Sequence, residues 1–229
     1  MPLFQALERL QASIASNDTP EPLPTKQEVF LPQLRNACLT FEDYDILAYT
    51  FSVLTTPTLV VLCAFGSLRE RAHVPGFPPL TDRLHTVDLP HWPVDEFSGW
   101  LKRSGHKLKD LTLEKFTMPQ WSLVNTLELL PELASLSLNL DTVFETSERT
   151  SAIDDDILLR MTARDGELPS LLPQLTELCI WGIGPSNETL SIAMIKSRRD
   201  PPFEEVYINT TSWKRIFMVQ GEVVVKGWC

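Results

Sequence analysis

The chain repeats one short apolar pattern, L-x-x-L-x-L, at a nearly constant step. It is plainest in LPQLRNACL (31–39), LPELASLSL (130–138) and LPQLTELCI (172–180). Seven copies begin at Leu34, Leu59, Leu84, Leu108, Leu133, Leu175 and Phe203, so successive steps are 25, 25, 24, 25, 42 and 28 residues. Apolar and polar residues alternate within each copy, which is typical of a half-buried β-strand. One such unit cannot bury its apolar side alone, so the pattern predicts strands that stack on their neighbours.

The segments between the copies carry helix signals. In 93–105, Pro93 stands at the expected start, Asp95 and Glu96 favour the first turn, and Gly105 follows the expected end. Similar patterns occupy 42–54, 118–130, 153–166 and 186–200. Strands alternating with helices at this period predict an α/β fold with a parallel sheet covered on one side by helices.

The period and the pattern resemble the leucine-rich repeat. The resemblance implies an α/β solenoid of about seven repeats over 31–210, with a curved parallel sheet on the concave side and helices on the convex side. The segments WPVDEFSGWLKRSGHKLKDLTLE (92–114) and LLPQLTELCIWG (171–182) look like the repeats of fungal F-box-type proteins. In that family the F-box binds the Skp1-type adaptor of a ubiquitin ligase and the repeats hold the substrate. Residues 1–30 lack the F-box pattern, so adaptor binding is expected only in a longer form that carries one.

Three regions are expected along the chain. Residues 1–30 predict an amphipathic helix at 3–14 and a Pro-rich linker, which together could cap the repeats. Residues 31–210 form the repeat domain, with a polar, acidic insertion near 139–156. Residues 211–229 predict a cap made of one helix, a turn at Gly221 and a closing strand.

Composition narrows the class of partner. The formal net charge is −10, which argues against nucleic acid and against an anionic membrane surface. The longest apolar run is far shorter than the roughly 20 residues of a membrane-spanning helix, and no signal layout opens the chain. We therefore expect a cytoplasmic or nuclear protein whose cysteines are reduced.

Side chains at the third, fifth and seventh positions of each copy should point away from the core. From these positions we predict a partner-binding surface on the concave face: Asp88, Asp110, Thr112, Glu114, Glu177, Trp181, Glu205 and Tyr207. The acidic side chains suit a protein partner with a basic surface, and a solvated face with no binding role is the alternative. Trp181 and Tyr207 would anchor an interface, unless the C-terminal segment folds over them.

The copy that begins at Leu59 is apolar on both faces. Val61, Cys63 and Phe65 would be exposed unless something covers them. The N-terminal segment, through Leu3, Phe4, Leu7 and Leu10, is one candidate, and a further N-terminal region of a longer form is the other. Cys38 and Cys63 occupy equivalent positions in adjacent copies. No histidine or third cysteine joins them, so free thiols are favoured over a metal pair or a redox switch.

Catalytic motifs are not found. The sequence has no G-x-S-x-G or H-E-x-x-H motif, and Asp154–Asp156 suits a helix N-terminus better than a metal site. We therefore predict a non-catalytic protein-interaction module without a cofactor, and recognition of substrates for ubiquitin ligation is the specific version of this prediction. A scaffold that assembles through the solenoid ends is the alternative.

Overall fold

The computed structural model describes residues 6–14, 27–67, 91–105, 107–116, 118–139, 153–164, 167–181, 185–198, 202–210, 214–219 and 221–227. Over these residues the protein is a mixed α/β structure with five helices, a nine-stranded, mostly parallel sheet and a two-stranded ribbon. The strands are β1 (Arg9–Ile14), β2 (Val29–Phe30), β3 (Asn36–Phe41), β4 (Leu54–Thr55), β5 (Val61–Gly66), β6 (Asp110–Glu114), β7 (Ser135–Asn139), β8 (Glu177–Trp181), β9 (Glu205–Asn209), β10 (Lys214–Val219) and β11 (Glu222–Gly227).

The large sheet runs in chain order, β1-β3-β5-β6-β7-β8-β9-β10-β11, and is parallel from β1 to β9. Its register follows the repeat, so that equivalent residues such as Leu62 and Leu111 are Cα partners. The described first, fourth and sixth positions of the copies are all buried, as predicted. Backbone hydrogen bonds also join neighbouring repeats one residue before the strands. For example, Lys109 N donates to Val60 O over 2.9 Å.

Five helices connect the strands: α1 (Tyr44–Val53), α2 (Val94–Ser104), α3 (Gln120–Glu128), α4 (Asp155–Arg160) and α5 (Glu188–Ser197). Their ends follow the expected chemistry. Asp154 and Asn187 accept N–H groups from the first turns of α4 and α5, and Gly105 ends α2 at φ 63°. Helices and strands bury their side chains in one common core, so the helices lie on one side of the sheet.

Residues 9–14 form a strand, so the expected amphipathic helix at 3–14 is wrong over these residues. β1 pairs in parallel with β3, and Leu10 lies opposite Ala37. Residues 7–12, LERLQA, in fact carry the repeat pattern one step before Leu34. The edge of β3 supplies backbone partners that a short solvent-exposed helix cannot match.

The predicted strand at 84–89 does not lie between the second and fourth copies. β5 pairs directly with β6, Val61 with Asp110 through Phe65 with Glu114. An alternating pattern shows that one side of a segment is apolar, but it does not select a neighbour. Residues 84–89 themselves lie outside the described residues, as does the insertion from 140 to 152.

In the C-terminal region the predicted helix is wrong, because residues 214–219 form strand β10, while the predicted turn at Gly221 and the closing strand, β11, are present; β10 and β11 form a hairpin. β10 is antiparallel to β9 and to β11, and the turn contains Gly221 at φ 82°. The run Val223–Val225 is β-branched, which suits the closing strand, and residues 214–219 form a strand between β9 and β11 because both supply backbone partners. The hairpin therefore extends the sheet beyond the last repeat.

Among the helices that the structure describes, none is long and apolar enough to cross a membrane.

Candidate functional site

The side of the sheet opposite the helices carries the candidate site. We call it the outward face: the side chains of β3 and of β5 to β10 that alternate with the buried ones. In β6 and β7 the exposure alternates strictly between half-buried and buried residues. All the described residues predicted for partner binding lie on this face. Asp88, the remaining one, lies outside the described residues.

Two aromatic rings form a partly exposed apolar feature of this face. Trp181, at the end of β8, is 41% exposed and stacks on Tyr207 of β9, with ring centroids 4.1 Å apart and an interplanar angle of 29°. Stacking restrains both rings, so little side-chain entropy remains to be lost when a partner covers them.

The C-terminal hairpin lies beside these rings in the plane of the sheet. Phe217 of β10 is the Cα partner of Tyr207, and the Arg215 guanidinium lies 5.9 Å from the Tyr207 ring centroid. The described residues of the hairpin therefore do not fold over the Trp181 ring, which remains 41% exposed.

Four carboxylates occupy the middle of the outward face. Asp110 and Glu177 lie in the same row, separated by Ser135 of β7, and Glu205 continues that row on β9. Glu114 lies in a parallel row opposite Asn139. Burial raises the pKa of Asp110, a hydrogen bond from Ser135 lowers it, and the charge of Glu177 raises it further. The row therefore brings negative charges close together, which a cationic partner would relieve.

An open groove of about 850 Å³ lies where β9 and the hairpin meet. Its lining includes Glu205, Tyr207, Arg215, Phe217 and Lys226, and the Lys226 ammonium sits 5.5 Å from the Phe217 ring centroid. Sequence analysis missed the hairpin residues because it predicted a helix there. The β-branched and aromatic residues Ile216, Phe217 and Val219, followed by Gly221 and a second β-branched run at 223–225, were the available signal.

The N-terminal segment does not cover the apolar strand β5 through the residues expected to do so. Leu7 and Leu10 pack against the core on the helical side of the sheet, so that part of the prediction is wrong; Leu3 and Phe4 lie outside the described residues. Val61, Cys63 and Phe65 are half-buried on the outward face. Their neighbours in the sheet shield them in part, because adjacent strands crowd side chains of the same row.

One row of the outward face contains three cysteines. Cys38 and Cys63 are Cα partners on β3 and β5, while Cys179 of β8 lies between Ser137 and Tyr207. All three thiols are free and half-buried. Burial raises the pKa of the Cys63 thiol, although a hydrogen bond with Thr112 lowers it in part.

Among the described residues, no group of three or more histidine, cysteine, aspartate and glutamate side chains is placed to hold a metal ion. Comparisons with protein-family models, with curated proteins and with solved structures give no match at the significance required. The geometry of the outward face is therefore the basis for a functional proposal.

Proposed function

We propose that the protein is a non-catalytic protein-interaction module, built as a leucine-rich repeat solenoid whose concave surface is the outward face. The observation that carries the proposal is the Trp181–Tyr207 stack, a rigid and partly exposed aromatic pair next to carboxylates. Aromatic anchors surrounded by charged side chains are typical of the energetic centres of protein interfaces.

The charges indicate what kind of partner fits. Asp110, Glu114, Glu177 and Glu205 suit lysine or arginine side chains, while the rings accept an apolar or cationic group. A basic protein segment lying across the strands would meet the carboxylates first and the aromatic pair next. Exposed charge pairs are screened by salt, so binding should weaken as ionic strength rises.

Affinity capture with matched tryptophan variants tests the proposal. Trp181→Ala and Tyr207→Ala should each abolish or strongly weaken capture of a specific partner, by about 2 kcal/mol or more at a binding centre. Trp121→Ala is the control, because Trp121 is 64% exposed on α3, on the helical side of the sheet. It removes an equally large exposed ring and should leave capture intact.

Circular dichroism must first show that all three variants are folded. If Trp121→Ala loses the partner and Trp181→Ala keeps it, the helical side is the binding surface and the proposal is wrong. Reversing two charges, with Glu177→Lys and Glu205→Lys in one variant, should weaken binding of the same partner and make that binding less dependent on salt.

Substrate recognition for ubiquitin ligation is the more specific version of this function. It is supported only by the resemblance of 92–114 and 171–182 to F-box-type repeats. A transcript that encodes an F-box, and co-purification of the longer product with the ligase adaptor, would support it. A full-length product with neither would leave the interaction module without a role in ubiquitin ligation.

An assembly scaffold is the second candidate, because the sheet ends in a strand suited to pairing. In the described part of the chain β11 pairs only with β10, and its Val223–Val225 run is half-buried. Unpaired strand edges readily accept another strand. Sedimentation velocity at micromolar concentration tests this candidate. A monomeric protein would rule it out, and a dimer that Val224→Pro converts to a monomer would support it.

A further inference from the structure

The last strand of the large sheet has an open edge in the described part of the chain. There β11 pairs with β10 alone, so alternate residues of β11 turn their backbone N–H and C=O groups away from the sheet. An edge of this kind readily accepts another strand. The side chains along β11 therefore decide which strand can pair with it.

The side chains of β11 point alternately to the two sides of the sheet. Val223 and Val225 pack against the core, so Glu222, Val224 and Lys226 lie on the outward face. The two charged residues are exposed, whereas Val224 is half-buried. An acidic and a basic side chain thus stand at equal distances in sequence on either side of Val224.

The Cα partners of these charged residues on β10 do not offset their charges. Lys226 lies opposite Arg215, which is also a cation, and Glu222 lies opposite Val219, which is apolar and 47% exposed. Like charges directly opposite each other in an antiparallel pair are destabilising. A carboxylate beside Lys226 on its open side would therefore stabilise the strand, as would a cation beside Glu222.

A second copy of β11 supplies both groups at once. When two copies pair antiparallel about a two-fold axis perpendicular to the sheet, side chains of one face meet side chains of the same face. With the axis at Val224, that residue meets its own copy, and Glu222 of each chain lies opposite Lys226 of the other. Moving the axis one residue in either direction places one of the charged residues opposite Val224. Only the register centred on Val224 therefore matches opposite charges.

We propose that the protein forms a homodimer in which β11 pairs antiparallel with β11 of a second copy, with Val224 at the two-fold axis. The proposal rests on the assembly candidate above and gives it a partner and a register. The dimer joins two nine-stranded sheets into one, with both outward faces on the same side. A partner with two basic segments then meets two Trp181–Tyr207 stacks and gains avidity.

Sedimentation velocity over the micromolar range tests the pairing. One strand from each chain makes a small interface, so we expect a dimer with a micromolar dissociation constant. Glu222→Lys places two lysines opposite each other at both symmetry-related pairs, and Lys226→Glu does the same with two glutamates. Each variant alone should raise the dissociation constant at least about 10-fold. An equimolar mixture of the two should recover a dimer, because each pair then joins a lysine to a glutamate, and this recovery also shows that both variants are folded.

Glu167→Lys is the matched control. It changes the net charge as Glu222→Lys does, at an exposed residue outside β11, and should leave the dissociation constant unchanged. A monomeric parent chain overturns this proposal together with the assembly candidate. If Glu222→Lys weakens the dimer no more than the control does, or if the mixture dimerises no better than either variant alone, the β11 pairing is wrong and assembly uses another surface. None of these variants alters Trp181 or Tyr207, so the outcome is separate from that of the capture experiment.

Discussion

Arg198 gives the sharpest prediction about stability. It follows α5, is 5% exposed, and among the described residues its side chain hydrogen-bonds only with backbone carbonyls. Its guanidinium donates to four backbone carbonyls, those of Met161, Leu171, Leu172 and Leu175, over 2.9–3.3 Å. One side chain thus ties the end of α4 to the turn that leads into β8.

The cost of removing this clamp follows from its contacts. Arg198→Met keeps most of the volume but leaves three carbonyls, those of Met161, Leu171 and Leu175, without this donor. Leu172 O still accepts from Leu175 N. A buried unsatisfied group costs about 1–3 kcal/mol. Against this, burial lowers the pKa of Arg198 to about 10, so removing the charge returns roughly 3 kcal/mol. Arg198 is still charged at neutral pH. Taking about 2 kcal/mol for each of the three carbonyls and subtracting the roughly 3 kcal/mol returned, we expect a net loss of about 3 kcal/mol.

Urea denaturation followed by circular dichroism and tryptophan fluorescence measures the loss. Arg103→Met is the control, because Arg103 also donates to backbone carbonyls, those of Phe51 and Leu54, but is exposed. It should cost no more than about 1 kcal/mol. Arg198→Lys should lose at least half as much as Arg198→Met, since an ammonium cannot reach all four carbonyls. A loss within 1 kcal/mol of zero for Arg198→Met would refute the reasoning.

Three further predictions concern two glycines, a helix N-cap and the row of carboxylates. Gly99 lies in α2 with open space around an added Cβ, so Gly99→Ala should raise the free energy of unfolding by about 0.5–1 kcal/mol. Gly221→Ala should lower it by about 1 kcal/mol because φ is +82°. Urea titrations of the two variants measure both changes in the free energy of unfolding. Asp154→Ala removes the acceptor of the Ile157 N–H and should cost about 1 kcal/mol, while Asp154→Asn should restore most of it in the same assay. The raised pKa of Asp110 means that the folded state disfavours its charge, so its contribution to stability falls as pH rises from the ordinary value to the raised one. Asp110→Asn should therefore raise the melting temperature at pH 7 and leave it unchanged near pH 3, where both states of the parent are protonated; an equal effect at both pH values would contradict this.

The repeat pattern predicted the sheet where each copy is held by its neighbours on both sides. Leu111 and Leu136, at fourth positions, are buried and in register as expected. The repeat period predicts the register of the strands, because a shift of one residue between neighbouring strands would expose the whole apolar row to solvent. The order of β6, β7, β8 and β9 in the sheet therefore follows directly from the spacing of short apolar segments.

The same logic is weakest at the ends of the sheet and at the Pro-rich step. Leu7 and Leu10 fit a helical face and a strand of the repeat equally well, and only the free edge of β3 decides between them. The copy at 84–89 has the pattern, yet β5 bonds to β6 without it. Periodicity defines which side of a segment is apolar, while pairing depends on which edge is available, and that depends on the rest of the chain.

The side chains of the candidate site that lie on repeat strands could be predicted from the sequence, whereas those on the hairpin could not. Glu177 and Trp181 were predicted on the outward face because they alternate with Leu178 and Ile180, whose burial fixes their direction. Arg215 and Lys226 could not be placed, because a hairpin has no repeat period to extend. Yet these two cations line the groove beside Glu205 and Tyr207, at the hairpin end of the face. A partner that binds along the outward face should therefore be basic over most of its contact and neutral or acidic where it meets the hairpin, a polarity that only the fold supplies.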